Sequence, residues 1–337
     1  MKYIVCNKPG EIVLKNKKPP KLKKNCSLIK IKRVGICGTD LHAYKGNQPF
    51  FSYPRILGHE LAGVLLKGNE KSSDLKVGDK VAIIPYLSCG NCQACNLKLS
   101  NCCEKINVIG VHSDGGLQEI INIPNENLIS ENYLSYDEIA LVEPLSIGYH
   151  AIRRSKIKSS DKVLVVGCGP IGIGIISLAI DQGCKVSAID KDINRIDFVK
   201  KNFKKVNILN YDEKIIEKIK IFNKSSLCDV VFDATGNKKS IETSHRFLRY
   251  GGKVILVGIY KSDISFFHPD IHKKEIEIIC SRNATKEDFR KIIKFLKDKK
   301  FESKLYITER ISFKNLPENF ENFYSKNKLL IKAIIDF

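Results

Sequence analysis

The chain has 337 residues, of which 43% are hydrophobic, and it carries a formal net charge of +20. This length and composition predict two globular domains and exclude a disordered chain. No apolar run reaches the roughly 18 residues that span a membrane. The N-terminal segment MKYIVCNKPGEIVLKNKKPP lacks the apolar core of a signal peptide and predicts a strand, a turn and a basic loop. We therefore expect a cytoplasmic protein with no membrane partner.

The basic charge alone would suit a nucleic-acid partner. Lysine and asparagine are, however, spread along the whole chain, and it contains no DNA-reading helix pattern or aromatic ribonucleoprotein signature. We therefore expect no nucleic-acid partner, although part of the charge would attract an acidic substrate. Twelve cysteines in a chain without a signal peptide favour bound metal over a disulfide framework.

The first motif along the chain is VGICGTDLHAYKG, residues 34–46. Cys37 lies between two glycines, Thr39 follows two residues later, and His42 follows five residues later. Taken alone, the motif fits a structural turn as well as a functional site, because Asp and Gly favour turns and buried cysteines are common. We expect Asp40 to form the turn rather than to act as a catalytic acid.

The second motif, PYLSCGNCQACNLKLSNCCEK, contains five cysteines: Cys89, Cys92, Cys95, Cys102 and Cys103. Two overlapping C-x-x-C steps place three thiolates in one loop. Four cysteines complete a tetrahedral shell with no position open to substrate, which is typical of structural zinc. The alternatives are a redox pair and an iron–sulfur cluster. On chemistry alone, either Cys102 or Cys103 supplies the fourth ligand.

The segment DKVLVVGCGPIGIGIISLAIDQGCKVSAID predicts a dinucleotide-binding fold. A buried parallel strand at 163–166 leads into Gly167-x-Gly169-x-x-Gly172 and an apolar helix over about 171–180. The glycines permit a tight turn and a close approach of the backbone to a pyrophosphate, which the N-terminus of the helix then faces. Further strands in DVVFDATG and GGKVILVGIY, with a helix in NKKSIETSHRFLRY between them, predict a doubly wound sheet.

The second strand of this segment, KVSAID, ends at Asp190, about twenty residues beyond the glycines. Its carboxylate would accept hydrogen bonds from the adenosine ribose and repel a 2′-phosphate, so we expect NAD rather than NADP. The nearby Lys191 and Arg195 weaken that inference. The expected cofactor contacts are Gly167, Gly169, Pro170, Ile171, Gly172, Asp190 and Arg195.

With these motifs, nearly the whole chain resembles the zinc-dependent medium-chain dehydrogenase/reductase family, which includes alcohol, sorbitol and threonine dehydrogenases. GICGTDLH is similar to the catalytic zinc loop of that family, and LGHELAGVLLKG to its G-H-E signature. VGDKVA and GGLQEIINIP resemble landmarks of its GroES-like domain. The resemblance implies an α/β protein. Residues 1–143 and 281–337 would form a GroES-like, mainly β catalytic domain, and residues 144–280 a Rossmann NAD-binding domain with a doubly wound parallel sheet.

The resemblance also implies two zinc ions per chain. The structural ion would take Cys89, Cys92, Cys95 and Cys103, which leaves Cys102 outside the site. The catalytic ion would take Cys37, His59, Glu60 and Glu143. No cysteine lies between 103 and 168, so the chain sides with the polyol-type branch and not with liver-type alcohol dehydrogenases. For Glu143, the alternative is that its carboxylate caps a helix or pairs with a basic side chain.

The family pattern implies that Thr39 takes the proton of the substrate and that a base at the position of His42 passes it on through the nicotinamide ribose. The alternative for His42 is a solvated surface imidazole. If Cys37, His59 and both glutamates bound zinc together, the site would carry a net negative charge and be closed to substrate. We therefore expect one glutamate, Glu60, to leave when substrate oxygen arrives.

The expected function is the zinc-dependent, NAD-linked oxidation of a secondary alcohol to the ketone by hydride transfer, in a homodimer or homotetramer. The substrate would be a polyol, a sugar acid or a similar small hydroxy compound. The candidate substrate contacts are Tyr44, Phe50, Phe51 and Arg282. The alternative is that these side chains only pack in the core or face solvent. The alternatives are an L-threonine 3-dehydrogenase-like or simple secondary-alcohol dehydrogenase and a zinc-free reductase. A more distant alternative is an NAD-sensing or nucleic-acid-binding protein without activity.

Overall fold

The computed structural model of the chain describes residues 1–48, 50–68, 75–324 and 329–337. The chain divides into two compact units. The first joins Met1–Ser146 with Ala284–Phe337, and the second is Ile147–Asn283. Among the described residues, no helix is both long and apolar enough to cross a membrane.

Strands and helices alternate along most of the chain. The strands are β1 (Lys2–Lys8), β2 (Glu11–Asn16), β3 (Cys26–Ile36), β4 (Glu60–Lys67), β5 (Lys80–Ile83), β6 (Tyr86–Leu87), β7 (Asn107–Val108), β8 (Ile120–Pro124), β9 (Leu128–Ser130), β10 (Lys162–Val166), β11 (Lys185–Ile189), β12 (Asn207–Ile208), β13 (Cys228–Asp233), β14 (Leu248–Leu256), β15 (Glu277–Cys280), β16 (Ile307–Ser312) and β17 (Lys332–Asp336). The α-helices are α1 (Gly38–Tyr44), α2 (Gln93–Asn96), α3 (Tyr136–Ala140), α4 (Val142–Ser155), α5 (Pro170–Asp181), α6 (Ile193–Asn202), α7 (Ile215–Phe222), α8 (Lys238–Thr243), α9 (His268–Lys274), α10 (Lys286–Lys297), α11 (Ser303–Tyr306) and α12 (Leu316–Asn319). Short 3-10 helices lie at Ser100–Cys102, Asn125–Asn127, Ser244–Phe247, Phe313–Asn315 and Phe320–Tyr324.

The first unit is mainly β, and its largest sheet has the strand order β16-β17-β3-β4-β5-β9, with β8 paired to β3. Strand β3 pairs antiparallel with β17, β4 and β8, so it lies at the centre of this sheet. Its register places Ile36 opposite Ala333 and Gly35 opposite Glu60. The end of β3 and the starts of β4 and β17 therefore meet, and these are the places where candidate functional residues occur.

The second unit contains a parallel sheet with the strand order β12-β11-β10-β13-β14-β15. The first strand along the chain, β10, lies inside the sheet, and helices connect successive strands, as in a doubly wound fold. Residues Val163 to Val166 of β10 are all buried, which explains the continuous apolar run in the sequence. The predicted fold class, a mainly β unit together with a doubly wound parallel sheet, is confirmed.

One predicted element differs from the structure. The segment NKKSIETSHRFLRY was expected to be a helix, but α8 ends at Thr243, and Leu248 to Tyr250 already belong to β14. Leu248 pairs with Cys228 in β13, so pairing within the sheet outweighs the local helical pattern. In contrast, local capping marks the start of α10, where the Thr285 side chain accepts a hydrogen bond from the backbone N–H of Asp288.

Candidate metal centres and dinucleotide site

Asp40 joins the two turns that carry the first candidate ligands. Cys37 follows β3 and precedes α1, and its backbone N–H donates to Asp40 Oδ2 at 2.9 Å. Asp40 Oδ1 accepts from the backbone N–H of Gly58 at 3.1 Å and lies 3.7 Å from His59 Nδ1. The buried carboxylate therefore forms the turn, as predicted, and also orients both ligand-bearing loops. The sequence did not reveal this second role, although an acid between two candidate ligands was a signal for it.

Glycines allow the loop that carries His59 to pack against its neighbours. Gly58 has a φ of +94°, a conformation that side chains disfavour. A Cβ atom at Gly110 would lie 2.7 Å from the Gly58 carbonyl oxygen, and one at Gly115 would lie 2.4 Å from it. The three glycines therefore let backbone segments touch directly and fix the position from which the imidazole projects.

Glu60 is held by a buried lysine that was not predicted from the sequence. Lys332 Nζ donates to Glu60 Oε1 at 2.5 Å, to Glu60 Oε2 at 2.7 Å and to the Ile36 carbonyl oxygen at 3.1 Å. The two side chains are 1% and 0% exposed. Burial alone would lower the pKa of Lys332, but the charges of Glu60 and Cys37 outweigh burial and raise it. The pair is therefore ionic, and nothing local in the sequence marks it, since its partners lie 272 residues apart.

Gly35 provides the space for this ion pair. It is the cross-strand partner of Glu60, and a Cβ atom there would lie 1.9 Å from Glu60 Oε2. The glycine in the VGICG motif is therefore required so that the carboxylate can fold back over β3 towards β17.

The structure brings three of the four predicted catalytic zinc ligands together. The donor atoms of Cys37, His59 and Glu60 all lie within 4.8 Å of one another. Glu143, in the first turn of α4, is buried but is not part of this group of three. Its Oε1 accepts a hydrogen bond from the Tyr86 hydroxyl, and burial raises its pKa to about 7. Its hydrogen-bond partner is therefore a tyrosine and not a basic side chain.

The donor set fits a zinc ion. Thiol, imidazole and carboxylate are the ligands that zinc takes in catalytic sites. His59 Nδ1 is buried without a hydrogen-bond partner. Burial opposes protonation of this imidazole, but the charges of Asp40 and Cys37 raise its pKa well above the ordinary value.

Thr39 and His42, the predicted proton-relay residues, both lie on α1. Their spacing of three residues places them on the same face of this helix. Thr39 is half-buried, whereas His42 is exposed. This arrangement provides a hydroxyl near the Cys37 end of the helix and an imidazole in contact with solvent.

The four predicted substrate contacts differ in their surroundings. Tyr44 is buried, its hydroxyl donates to the Gly10 carbonyl oxygen and to Glu321, both at 3.0 Å, and so it is a packing residue. Phe51 is half-buried and forms an edge-to-face contact with Tyr53, whereas Phe50 is 54% exposed. Arg282, just after β15, is also exposed.

The cysteine loop forms a second, separate donor set. The four sulfurs of Cys89, Cys92, Cys95 and Cys103 lie within 4.8 Å of one another, while Cys102 is exposed and outside the group. The backbone N–H of Cys89 donates to Cys103 Sγ at 3.2 Å. Backbone N–H groups of Cys95 and Glu104 lower the pKa of Cys92 to about 6, which favours the thiolate that a metal binds. The set fits a closed, tetrahedral zinc site.

The glycine-rich loop of the second unit has the geometry expected for a pyrophosphate. Gly167 has a φ of +97°, and a Cβ atom at Gly172 would lie 1.8 Å from the Gly167 carbonyl oxygen. Gly169 caps the N-terminus of α5, and Pro170 is the first residue of that helix, directly followed by the half-buried Ile171. No residue larger than glycine would fit at Gly172, where the first turn of α5 packs against the Gly167 carbonyl.

Asp190 connects the end of β11 to this loop. Its Oδ2 accepts from the backbone N–H of Cys168 at 2.6 Å, and its Oδ1 accepts from that of Asp192 at 2.9 Å. The Arg195 guanidinium lies 3.8 Å from Asp190 and 3.7 Å from Asp192. Arg195 therefore faces two carboxylates, while Lys191 is exposed.

Two family models match the chain: "Alcohol dehydrogenase GroES-like domain" over residues 23–132 and "Zinc-binding dehydrogenase" over residues 170–298. L-galactonate-5-dehydrogenase of Escherichia coli K12 is 41% identical over 337 residues, which cover 100% of this chain and 99% of that protein. Sorbitol dehydrogenase of Bacillus subtilis is 30% identical, over 99% of this chain and 97% of that protein. A solved alcohol dehydrogenase from E. coli CFT073 in complex with NADH has a TM-score of 0.92 and 25% identity, and the match covers 100% of this chain and 99% of that one.

Proposed function

The chain belongs to the zinc-dependent medium-chain dehydrogenase/reductase family, and from this premise we propose that it oxidises a secondary hydroxyl of a sugar acid, with NAD as the hydride acceptor. The family matches confirm the predicted resemblance and the assignment as an alcohol dehydrogenase. The observation that carries the proposal is the group formed by the donor atoms of the half-buried Cys37 and the buried His59 and Glu60, within 4.8 Å of one another, in the GroES-like part of the chain.

The name of one relative supports a sugar acid as the substrate class. L-galactonate-5-dehydrogenase is 41% identical to this chain along its whole length. The net charge of +20 agrees with a substrate that carries a carboxylate. A neutral polyol is the second candidate, because sorbitol dehydrogenase of B. subtilis is also similar over nearly the full length.

We assign Cys37, His59, Glu60 and Glu143 to a catalytic zinc ion, and Cys89, Cys92, Cys95 and Cys103 to a structural one. When bound, the catalytic zinc polarises the substrate hydroxyl, and NAD accepts a hydride from the carbon that bears it.

Residues of α1 would transfer the proton of the substrate hydroxyl and position the proposed zinc ligands. Thr39 would accept the substrate hydroxyl proton while giving up its own O–H proton towards His42, and His42, exposed on the same face of α1, would release that proton to water. Asp40 keeps the turns of Cys37 and His59 in position, through its contacts of 2.9 Å and 3.7 Å.

The remaining assignments follow from the same family membership. Residues 1–143 and 281–337 are the proposed catalytic domain, and residues 144–280 the proposed NAD-binding domain. Within the latter, Gly167, Gly169 and Gly172 would cradle the pyrophosphate, and Asp190 would bind the ribose. We also propose a cytoplasmic homodimer or homotetramer. Free cysteines throughout the described chain agree with a reducing compartment.

A matched substrate pair tests this proposal. L-galactonate and galactitol differ only in whether the terminal carbon is a carboxylate, so their kcat/KM values with NAD isolate the contribution of that charge. The proposal predicts NAD reduction with L-galactonate at a kcat/KM well above that with galactitol. Comparable values for both would favour the polyol alternative. Activity only with L-threonine or 2-propanol would contradict the sugar-acid proposal.

A further inference from the structure

The cysteine loop, residues 89–103, lies between the short strands β6 and β7. Tyr86, the first residue of β6, pairs with Val108 in β7, and its hydroxyl donates to Glu143 Oε1. From this arrangement we infer that Tyr86 is a positioning residue through which metal binding in the cysteine loop fixes the orientation of Glu143. The inference rests on the two proposed zinc sites and goes beyond them, because it couples one site to the other.

The cysteine loop has almost no packing of its own. Among residues 88–106, only Asn101 and Cys103 are buried. Leu97 and Leu99 are 64% and 47% exposed. A segment that buries so few side chains gains little free energy from the hydrophobic effect. The four sulfurs are the common centre of the loop, so a bound metal ion is the interaction that would hold its shape.

The two strands at the base of the loop give each other little support. Each contains two residues, and together they form a separate two-stranded sheet, an arrangement that is marginal in water on its own. Cys89 lies two residues beyond β6, and Cys103 lies four residues before β7. The backbone N–H of Cys89 donates to Cys103 Sγ at 3.2 Å. A metal ion bound by both sulfurs would therefore clamp the ends of the loop and stabilise the pairing of the strands.

Tyr86 connects β6 to the proposed catalytic ligand. Its side chain is buried, and its ring packs edge to face against Phe289, with centroids 6.3 Å apart. Its backbone carbonyl oxygen accepts from Asn127 Nδ2 at 3.2 Å, which anchors the chain before the loop begins. Glu143 belongs to a different element, α4, so the Tyr86 hydroxyl is the contact that joins its carboxylate to β6. A shift of β6 therefore moves the donor that orients Glu143.

A contiguous chain of contacts thus leads from one donor set to the other. It runs from the loop sulfurs through Cys89 to β6, and from the Tyr86 hydroxyl to Glu143. Loss of the loop metal frees the end of β6, and Glu143 then loses its oriented donor. The Cys37 set should then bind its own metal more weakly, because an outer hydrogen-bond partner typically contributes about 10–100-fold to metal affinity.

The test measures the metal affinity of the Cys37 set in the full-length protein loaded with cobalt(II). Cobalt with one sulfur ligand and cobalt with four have different visible spectra, so a chelator titration follows the release of each ion separately. Tyr86→Phe should weaken binding at the Cys37 set about 10–100-fold and change the spectrum of that ion. Cys103→Ser should lose the loop ion and weaken the remaining ion by a similar factor. Cys102→Ser, the control outside the set, should change neither.

The double variant shows whether both changes act through the same contact. Adding Cys103→Ser to Tyr86→Phe should weaken the Cys37 set by no more than roughly twofold, whereas independent effects would multiply. Hydrogen exchange gives the direction of the coupling: the amides of β6 and β7 should exchange faster in Cys103→Ser and at the wild-type rate in Tyr86→Phe. If Cys103→Ser does not fold, Cys95→Asp takes its place, because a carboxylate still binds zinc and Cys95 is half-buried.

The outcomes separate this inference from the proposed function. A wild type that binds no metal at the Cys37 set would overturn both. A wild type with two bound ions, combined with a Tyr86→Phe variant of unchanged affinity and spectrum, would overturn only the inference. So would a loop variant that loses its own ion while the Cys37 set keeps the wild-type affinity. Multiplied effects in the double variant would also overturn it, because the loop would then act on the Cys37 set without Tyr86.

Discussion

The two donor sets of the first unit are assembled in opposite ways. The four cysteines all come from one loop, residues 89–103, and three of them are partly accessible to solvent. The Cys37 set is collected from the end of β3 and the start of β4, and Glu143, the further ligand proposed above, lies in the first turn of α4. His59 and both glutamates are buried, and their partners include Lys332 from the last strand.

This difference predicts which donor set determines the stability of the protein and which determines its catalytic turnover. The four thiolates lie within one short loop, so we expect metal binding there to contribute directly to folding. The dispersed set is positioned by the sheet itself, by Asp40 and by the Lys332–Glu60 pair, so we expect its geometry to depend less on metal. We therefore expect the cysteine loop to determine stability and the Cys37 set to determine turnover.

The largest effect on activity is predicted for Cys37→Ser, which tests the difference between the two donor sets. A serine hydroxyl is a poor replacement for a thiolate ligand, so this variant should lose its catalytic zinc ion. Steady-state assays should show a loss of activity greater than the roughly 10–100-fold cost of removing an outer partner. Circular dichroism and the melting temperature should stay close to the wild type. A clear fall in the melting temperature would contradict the expectation that the Cys37 set affects turnover but not stability.

The variant that tests the cysteine loop is Cys103→Ser. Its control is Cys102→Ser, a change at the adjacent position. Loss of one thiolate opens the closed set, so thermal unfolding should shift to a distinctly lower temperature, because the metal contributes folding free energy. Cys102 is exposed and outside the set, so its replacement should change stability by about 0.5 kcal/mol or less. Equal destabilisation by both variants would contradict the assignment of the fourth ligand.

An intermediate effect is expected for Asp40→Asn. The amide keeps the shape of the carboxylate, but it cannot supply the charge that faces His59 at 3.7 Å. We predict a loss in kcat/KM of about 10–100-fold, with the cysteine loop and its zinc unaffected. Unchanged kinetics would show that the sheet alone positions His59.

The smallest of these effects lies outside both metal sets. Asp190→Gly should raise the use of NADP relative to NAD by roughly tenfold, about 1.4 kcal/mol, because it removes a charge that repels the 2′-phosphate. The kcat/KM ratio for the two cofactors measures this change, and the zinc content should not alter. A wild type that already prefers NADP would mean that Lys191 or Arg195 dominates over Asp190.

Features encoded in short segments were predictable from the sequence. The cysteine loop and the glycine-rich turn before α5 each depend on residues a few positions apart. Their geometry follows from local spacing and backbone preference. The helix predicted through Leu248 was wrong where pairing with β13 replaced local preference.

Features that depend on strand register were not predictable. The Lys332–Glu60 ion pair needs β17 and β4 on either side of β3, and it needs the register that places Gly35 opposite Glu60. In the sequence, Lys332 is one of many lysines and Gly35 is one of many glycines. Only the folded sheet shows that the Glu60 carboxylate, which Lys332 holds, occupies the space that Gly35 leaves open.

The most direct test of two functionally distinct metal sites is the zinc content of the chain, measured by elemental analysis together with activity and melting temperature. We predict two zinc ions in the wild type and one in each of Cys37→Ser and Cys103→Ser, matching the two separate donor sets. The Cys37→Ser protein should be stable but inactive, and the Cys103→Ser protein should be the destabilised one. A fully active wild type that contains no zinc, or the loss of both ions from either variant, would contradict the assignment of two separate sites.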